Sequence, residues 1–369
     1  MDIERIEIRK IFLPFIKPFK TSGWTEKGNH SIIVRIDAGG ARGWGEAPAG
    51  SKPFYTEETS GTVWSIMKEV LIPILYKANL SQEEILSSPF SNIRGNKIAV
   101  AGLDFALWDL LGKLNNKSIF QMLGGTRKKI DVGVSIGIQE DTGRLLELVE
   151  NYLDEGYKRI KIKIKPGYDI RPICEIRKKW ENILLQVDAN SSYSLNDAEH
   201  LAALDEFKLL LIEQPLGYDD LYEHALLQKK IKTPICLDES IVSPLHAKSA
   251  IEMGACKIIN IKPSRVGGLA AAKKIHDISE KRNIPVWCGG MFETGIGRAF
   301  NAALASLPNF KLPGDISANN RYFVKDIVKN PFKLNKDGTL NVPDKPGCGA
   351  EIDGAFLEKI TLEKEIIKN

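Results

Sequence analysis

From about residue 130 the chain repeats a unit of about 25 residues, and this period constrains the fold more tightly than any other feature. Short apolar runs end in a polar residue and a turn, then give way to a helical pattern. The runs are VGVSIGI (132–138), RIKIKIK (159–165), LLQVDAN (184–190), LLLIEQP (209–215), PICLDES (234–240), KIINIKP (257–263), VWCGGMF (286–292) and, more weakly, FKLPGDI (310–316). Near-continuous apolar runs of this length suit parallel strands covered on both faces. The charged residues that close them, Lys163, Asp188, Glu213, Asp238 and Lys262, follow at intervals of 25, 25, 25 and 24 residues. A unit of that size holds one strand and one helix. Eight such units close into a barrel whose working face lies at the C-terminal ends of the strands. The five charged side chains, at equivalent positions on successive strands, then share one mouth.

The second run alternates sharply, Ile160, Ile162 and Ile164 against Lys161, Lys163 and Lys165. Strand side chains alternate faces, so the isoleucines pack on the helices and the lysines point inward. Buried ammonium groups need carboxylates nearby, and the next three strands supply Asp188, Glu213 and Asp238. Three hard oxygen donors without His or Cys suit an octahedral Mg²⁺ (or Mn²⁺) and argue against zinc. The alternative is that the carboxylates neutralise the lysines without metal. Lys163 and Lys262, on the second and sixth strands, stand nearly opposite each other. A substrate carboxylate at the metal would put its α-carbon between two amines. Removing an α-proton there creates an enediolate that only strong local charge stabilises. A lysine crowded by other cations has its pKa pushed down and serves as a base near neutrality.

The expected architecture is therefore α/β. A (β/α)7β TIM-like barrel occupies 126–322, with an α+β capping domain formed by 1–125 and by a C-terminal segment, 323–369, that returns to it. Loops near Thr21 and Pro53 are expected to close over the mouth and exclude water. Net charge is +4, from 51 basic and 47 acidic residues, with no dense basic run to suggest nucleic acid. Five scattered cysteines without a C-x-x-C pair fit a reducing compartment. No apolar run of 18 residues suggests a membrane span, and the N-terminus lacks a secretory h-region. A cytoplasmic protein is expected, with the sequons at Asn79, Asn116 and Asn190 accidental.

Several elements taken together resemble a known family. They are K-I-K (Lys161 to Lys163), V-D-A-N (Val187 to Asn190), I-E-Q-P (Ile212 to Pro215) and L-D-E-S (Leu237 to Ser240). N-I-K-P-S-R-V-G-G (Asn260 to Gly268) and G-G-M-F-E-T-G-I-G-R (Gly289 to Arg298) follow. Outside the barrel, F-K-T-S at Phe19, G-W-G-E at Gly43, A-L-W-D-L-L-G-K at Ala106, M-L-G-G at Met122 and P-G-C-G at Pro346 extend the likeness over nearly the whole chain. The set is similar to the muconate-lactonizing subgroup of the enolase superfamily, within it to the o-succinylbenzoate synthase and N-succinylamino acid racemase branch. The resemblance implies that Lys163 abstracts the α-proton, that Asp188, Glu213 and Asp238 bind Mg²⁺, and that Lys262 faces the substrate from the other side. In the synthase Lys262 would stabilise the enediolate while hydroxide leaves; in the racemase it would be the second acid/base. Arg265, three residues on, is close enough to influence its charge. Lys161, Asn190, Glu239, Gly290, Met291, Thr294 and Thr21 take substrate-binding or supporting places. The implied substrate is a small carboxylate carrying a succinyl group, and the superfamily commonly forms homo-oligomers. Dipeptide epimerases of the subgroup carry Asp-x-Asp on the last strand, where this chain reads Gly314-Asp315-Ile316-Ser317, so that activity ranks low.

Two rival readings are weaker. Gly133-Val134-Ser135-Ile136-Gly137 matches a nucleophile elbow, which needs a helix beginning directly after the serine. Apolar alternation instead continues to Ile138, with an N-cap expected at Asp141 or Thr142, so Ser135 is read as a substrate contact. A barrel that only binds a metabolite is the non-catalytic alternative. The five histidines end no expected strand. The glycines of G-I-G-R are read as a loop approaching an anionic ligand.

Overall fold

A computed structural model describes residues 2–78 and 80–368; the sequon residue Asn79 lies outside the described residues. In chain order the strands are β1 (Ile3–Lys20), β2 (Thr25–Ala38), β3 (Ala41–Ala47), β4 (Lys129–Asp131), β5 (Val134–Ile136), β6 (Arg159–Lys163) and β7 (Leu184–Asp188). They continue with β8 (Ile212–Glu213), β9 (Ile235–Leu237), β10 (Ile258–Ile261), β11 (Val286–Cys288), β12 (Thr339–Asn341) and β13 (Thr361–Ile367).

An antiparallel sheet in the order β13-β1-β2-β3 joins the two ends of the chain, with Ile6 opposite Ile367. The run around Thr339 takes another course: β12 pairs with β4 ahead of the first barrel strand. Helix Lys97–Leu114 lies across β3 so closely that the sequence there has no room for side chains. A Cβ on Gly43 would sit 2.0 Å from the Ala106 carbonyl oxygen, and one on Gly45 2.1 Å from that of Gly102.

Strands β5 to β11 form one parallel sheet in sequence order. Its register sets Lys163 beside Asp188 and Asp188 beside Glu213. Asp238 and Lys262 follow one residue beyond β9 and β10. The eighth run forms no strand. It closes the ring through single parallel bridges, Phe310 to Val286 and Gly314 to Val132, with Gly133 N donating to Gly314 O and Asp315 N to Cys288 O, each at 2.8 Å. Pro313, which has no N–H to offer a ladder, explains why pairing stops there.

The alternation on β6 is realised. Ile160, Ile162 and Ile164 are buried in the main core with the helical layer, while Arg159, Lys161 and Lys163 are buried on the inner face. Beneath the lysines Leu211, Cys236, Ile258 and Trp287 form a small apolar plug. The Arg159 guanidinium and the Lys161 ammonium lie 5.3 and 4.8 Å from the Trp287 ring centroid, a contact that offsets part of their desolvation. The first helix after Ser135 begins only at Thr142, capped by Asp141, so the elbow geometry of a hydrolase is absent from this turn.

Candidate active site

The barrel mouth opens into a pocket roofed by residues of the N-terminal sheet and its loops. Phe19, Thr21, Trp24, Tyr55 and His30 face Ser135, Lys161, Lys163, Asp188, Asn190 and Lys262, and Gly290, Met291 and Phe292 form one side. The Thr21 loop is tied to the barrel by Ser22 Oγ, which donates to Ile164 O at 2.8 Å.

Charge organises the floor. Lys161 Nζ sits 2.6 Å from Asp315, 2.9 Å from Glu213 and 3.4 Å from Asp188. Lys163 Nζ donates to Asp188 Oδ2 at 2.6 Å and Asn190 Oδ1 at 2.7 Å. Across the mouth, Lys262 Nζ donates to Asp238 Oδ2 and to the Tyr55 hydroxyl oxygen, both at 2.8 Å. Arg265 binds Asp238 on its other oxygen. Burial alone would lower the lysines, but Asp315, Glu213 and Asp188 hold Lys161 well above its ordinary range. Likewise Asp238 and Tyr55 outweigh desolvation and Arg265 to raise Lys262. The expected depression by crowded cations is therefore reversed at Lys262, because Asp238, 2.8 Å from its ammonium, outweighs Arg265. Burial opposes ionisation of Asp238 and Asp188, yet Lys262 with Arg265, and Lys163 with Lys161, hold them below the usual carboxylate range.

Two acids lack enough positive partners. Burial, with Asp188 and Asp238 adding repulsion, pushes Glu213 up to about 7. Burial, then Asp238 and Asp188, pushes Glu239 up to about 8, and its Oε2 is buried without a hydrogen-bond partner. A floor of oxygen donors with unrelieved negative charge fits a hard divalent cation. The three barrel carboxylates do not converge here, since each is drawn to a cation. Among the described residues, the group whose ligand atoms fall within 4.8 Å is His276, Asp277 and Glu280 on helix Leu269–Lys281. Both ring nitrogens of that histidine are already occupied, by Asp277 and by the Asn309 amide.

The structure brings most of the sequence-derived residues together. Asn190 links Lys163 to Glu239 through its side-chain amide at 3.0 Å. Ser135 lines the pocket with an unpartnered hydroxyl. Thr294 does not line it. This residue caps helix Gly295–Ala305 and is fully buried against Glu46 of β3. The Glu46 carboxylate receives Thr294 N at 3.0 Å, Thr294 Oγ1 at 2.6 Å and Gly297 N at 2.9 Å. The anion expected at the G-I-G-R glycines is thus a side chain of the protein itself, since first-turn amides donate to any well-placed carboxylate. Sequence reading also missed Tyr55, Arg159 and Asp315. Arg159 was in phase with the lysines of its own strand, and that periodicity would have found it. Tyr55 stands alone in an irregular loop, with no pattern to mark it.

Two family models cover most of the chain. Residues 6–124 match the mandelate racemase/muconate lactonizing enzyme N-terminal domain, and residues 144–356 the enolase C-terminal domain-like model. The chain belongs to the enolase superfamily. It is 46% identical to an o-succinylbenzoate synthase of Geobacillus kaustophilus, over 98% of this chain and 96% of the relative. It is 43% identical to an N-succinylamino acid racemase of an Amycolatopsis species, over 99% of each chain. A solved enolase-superfamily structure from Listeria innocua superposes with a TM-score of 0.96 at 42% identity, covering 100% of this chain and 99% of that one. Within the superfamily the chain groups with the o-succinylbenzoate synthase and N-succinylamino acid racemase family.

Proposed function

We propose that the protein is an o-succinylbenzoate synthase, removing water from 2-succinyl-6-hydroxy-2,4-cyclohexadiene-1-carboxylate on the way to menaquinone. One observation carries this reading. Two buried amines border a single pocket from strands four places apart in the ring, with acids from the three intervening strands between them. Lys163 takes the proton from the carbon bearing the substrate carboxylate. The electron pair left behind expels the hydroxyl group from the neighbouring carbon, and the Lys262 ammonium faces the charge that develops. Mg²⁺ (or Mn²⁺), held by Asp188, Glu213 and Asp238, would supply positive charge at the substrate carboxylate and relieve the repulsion among these acids. Asn190 keeps Lys163 in place through a neutral acceptor. Lys161, clamped by Asp315, adds a fixed cation beneath. The roof formed by Phe19, Trp24 and Tyr55 keeps water from the reacting carbon.

Racemisation of N-succinylamino acids is a second reading, favoured by the same pair of opposed amines: what one face removes, the other replaces. Lys163→Ala is expected to lower both turnovers by at least about a thousandfold, the scale of losing a general base. The measurements are product formation for the synthase and interconversion of the two enantiomers of N-succinylphenylalanine for the racemase. Retained turnover overturns the assignment of the base.

A further inference from the structure

We infer that Tyr55 is a positioning residue for Lys262, lent to the barrel by the N-terminal segment, and that it fixes the line along which this amine meets the substrate α-carbon. The inference rests on the two-amine reading above and adds a residue to it. Residues 51–57 form neither helix nor strand, and residues 51–54 are exposed. The loop is pinned at both ends. Gly50 N donates to His30 O at 3.0 Å, while the Glu58 carboxylate accepts from Ile98 N and Ala99 N at 2.7 and 3.0 Å. Between the pins, a single aromatic side chain reaches into the charged mouth. Its oxygen accepts from Lys262 Nζ at 2.8 Å and from Arg265 at 3.0 Å, and donates toward the Asp238 carboxylate at 3.1 Å. The ammonium also stands 4.3 Å from the ring centroid.

The two lysines are thereby anchored differently. Both anchors of Lys163, Asp188 and Asn190, belong to the end of β7 and the turn after it. Lys262 has one anchor in the barrel, Asp238, and the other in the loop. A lysine side chain has four rotatable carbons and is held in one geometry only by its partners. Removing the phenol hydroxyl therefore loosens one amine and leaves the other untouched.

Deuterium uptake at the α-carbon of each enantiomer of N-succinylphenylalanine, with the full chain and Mg²⁺, separates the two faces. Lys163→Ala and Lys262→Ala identify which enantiomer each lysine serves. Tyr55→Phe is expected to slow uptake about tenfold for the Lys262 enantiomer and to leave the other within about twofold, the scale of the one hydrogen bond that Lys262 loses. Tyr55→Leu, which removes the ring as well, gives the same one-sided pattern with a larger loss. Equal slowing of both enantiomers, or no slowing of either, overturns the role of Tyr55 alone. Absence of uptake by the wild-type chain, or lysine variants that fail to separate the enantiomers, overturns the two-amine reading and this inference with it.

Discussion

Glu46→Ala tests the joint between the N-terminal sheet and the barrel. The wild-type carboxylate collects five donors: Thr294 N, Thr294 Oγ1, Gly297 N, Ser31 Oγ at 3.0 Å and Asn29 Nδ2 at 3.2 Å. Two of these are first-turn amides without an intrahelical acceptor. Asn29 keeps a bond to Phe292 O and Thr294 Oγ1 one from Ile296 N, so the alanine variant strands two amides and the Ser31 hydroxyl. At about 1–3 kcal/mol for each buried group left unmade, the loss is about 4 kcal/mol. With about 2 cal/mol/K of unfolding entropy per residue over 369 residues, the melting temperature falls by about 5 °C. Glu46→Gln should cost less, about 1–2 kcal/mol, because burial already opposes the wild-type charge and the hydroxyls can turn to accept from its amide. Urea unfolding at neutral pH gives both numbers. A loss below about 1 kcal/mol for alanine, or equal losses for the two variants, would falsify the view that this carboxylate seats the helix.

Two further outcomes follow from the same geometry. Glu213 and Glu239, raised to about 7 and about 8 in the folded chain, favour the protonated form when no metal is present. Their stabilising contribution is full below the unfolded value near 4.5 and is lost as pH rises through 7 to 8. Added Mg²⁺ should therefore raise the melting temperature more at pH 8.5 than at pH 5.5; an equal rise at both contradicts the assignment of Glu213 to the metal. Gly43→Ala drives a methyl group into the Ala106 carbonyl and should cost about 3 kcal/mol in urea unfolding, whereas an unchanged midpoint would mean the helix can shift freely.

The barrel was legible because its signal is periodic. Apolar runs and charges at matched phase report strands and their inner faces without knowledge of what they touch. Lys163, Asp188 and Lys262 were found that way, and all three meet at the pocket. The G-I-G-R glycines were misread because a Gly-rich helix start signals an anion but not its source; only the packing of β3 against that helix shows that Glu46 fills it. The eighth run was faint for a local reason, its proline at position 313 leaving bridges where a strand was expected. Tyr55 was invisible because its position depends on a loop's path through space, and nothing in Lys52 to Glu57 repeats.

The inner face of β6 carries three cations in a row, Arg159, Lys161 and Lys163, each answered by acids on other staves. A slip of one residue would turn all three toward the oily helix jacket and three isoleucines toward the buried acids. The ionic set thus specifies the alignment of the staves, since a misaligned parallel pair cannot satisfy it.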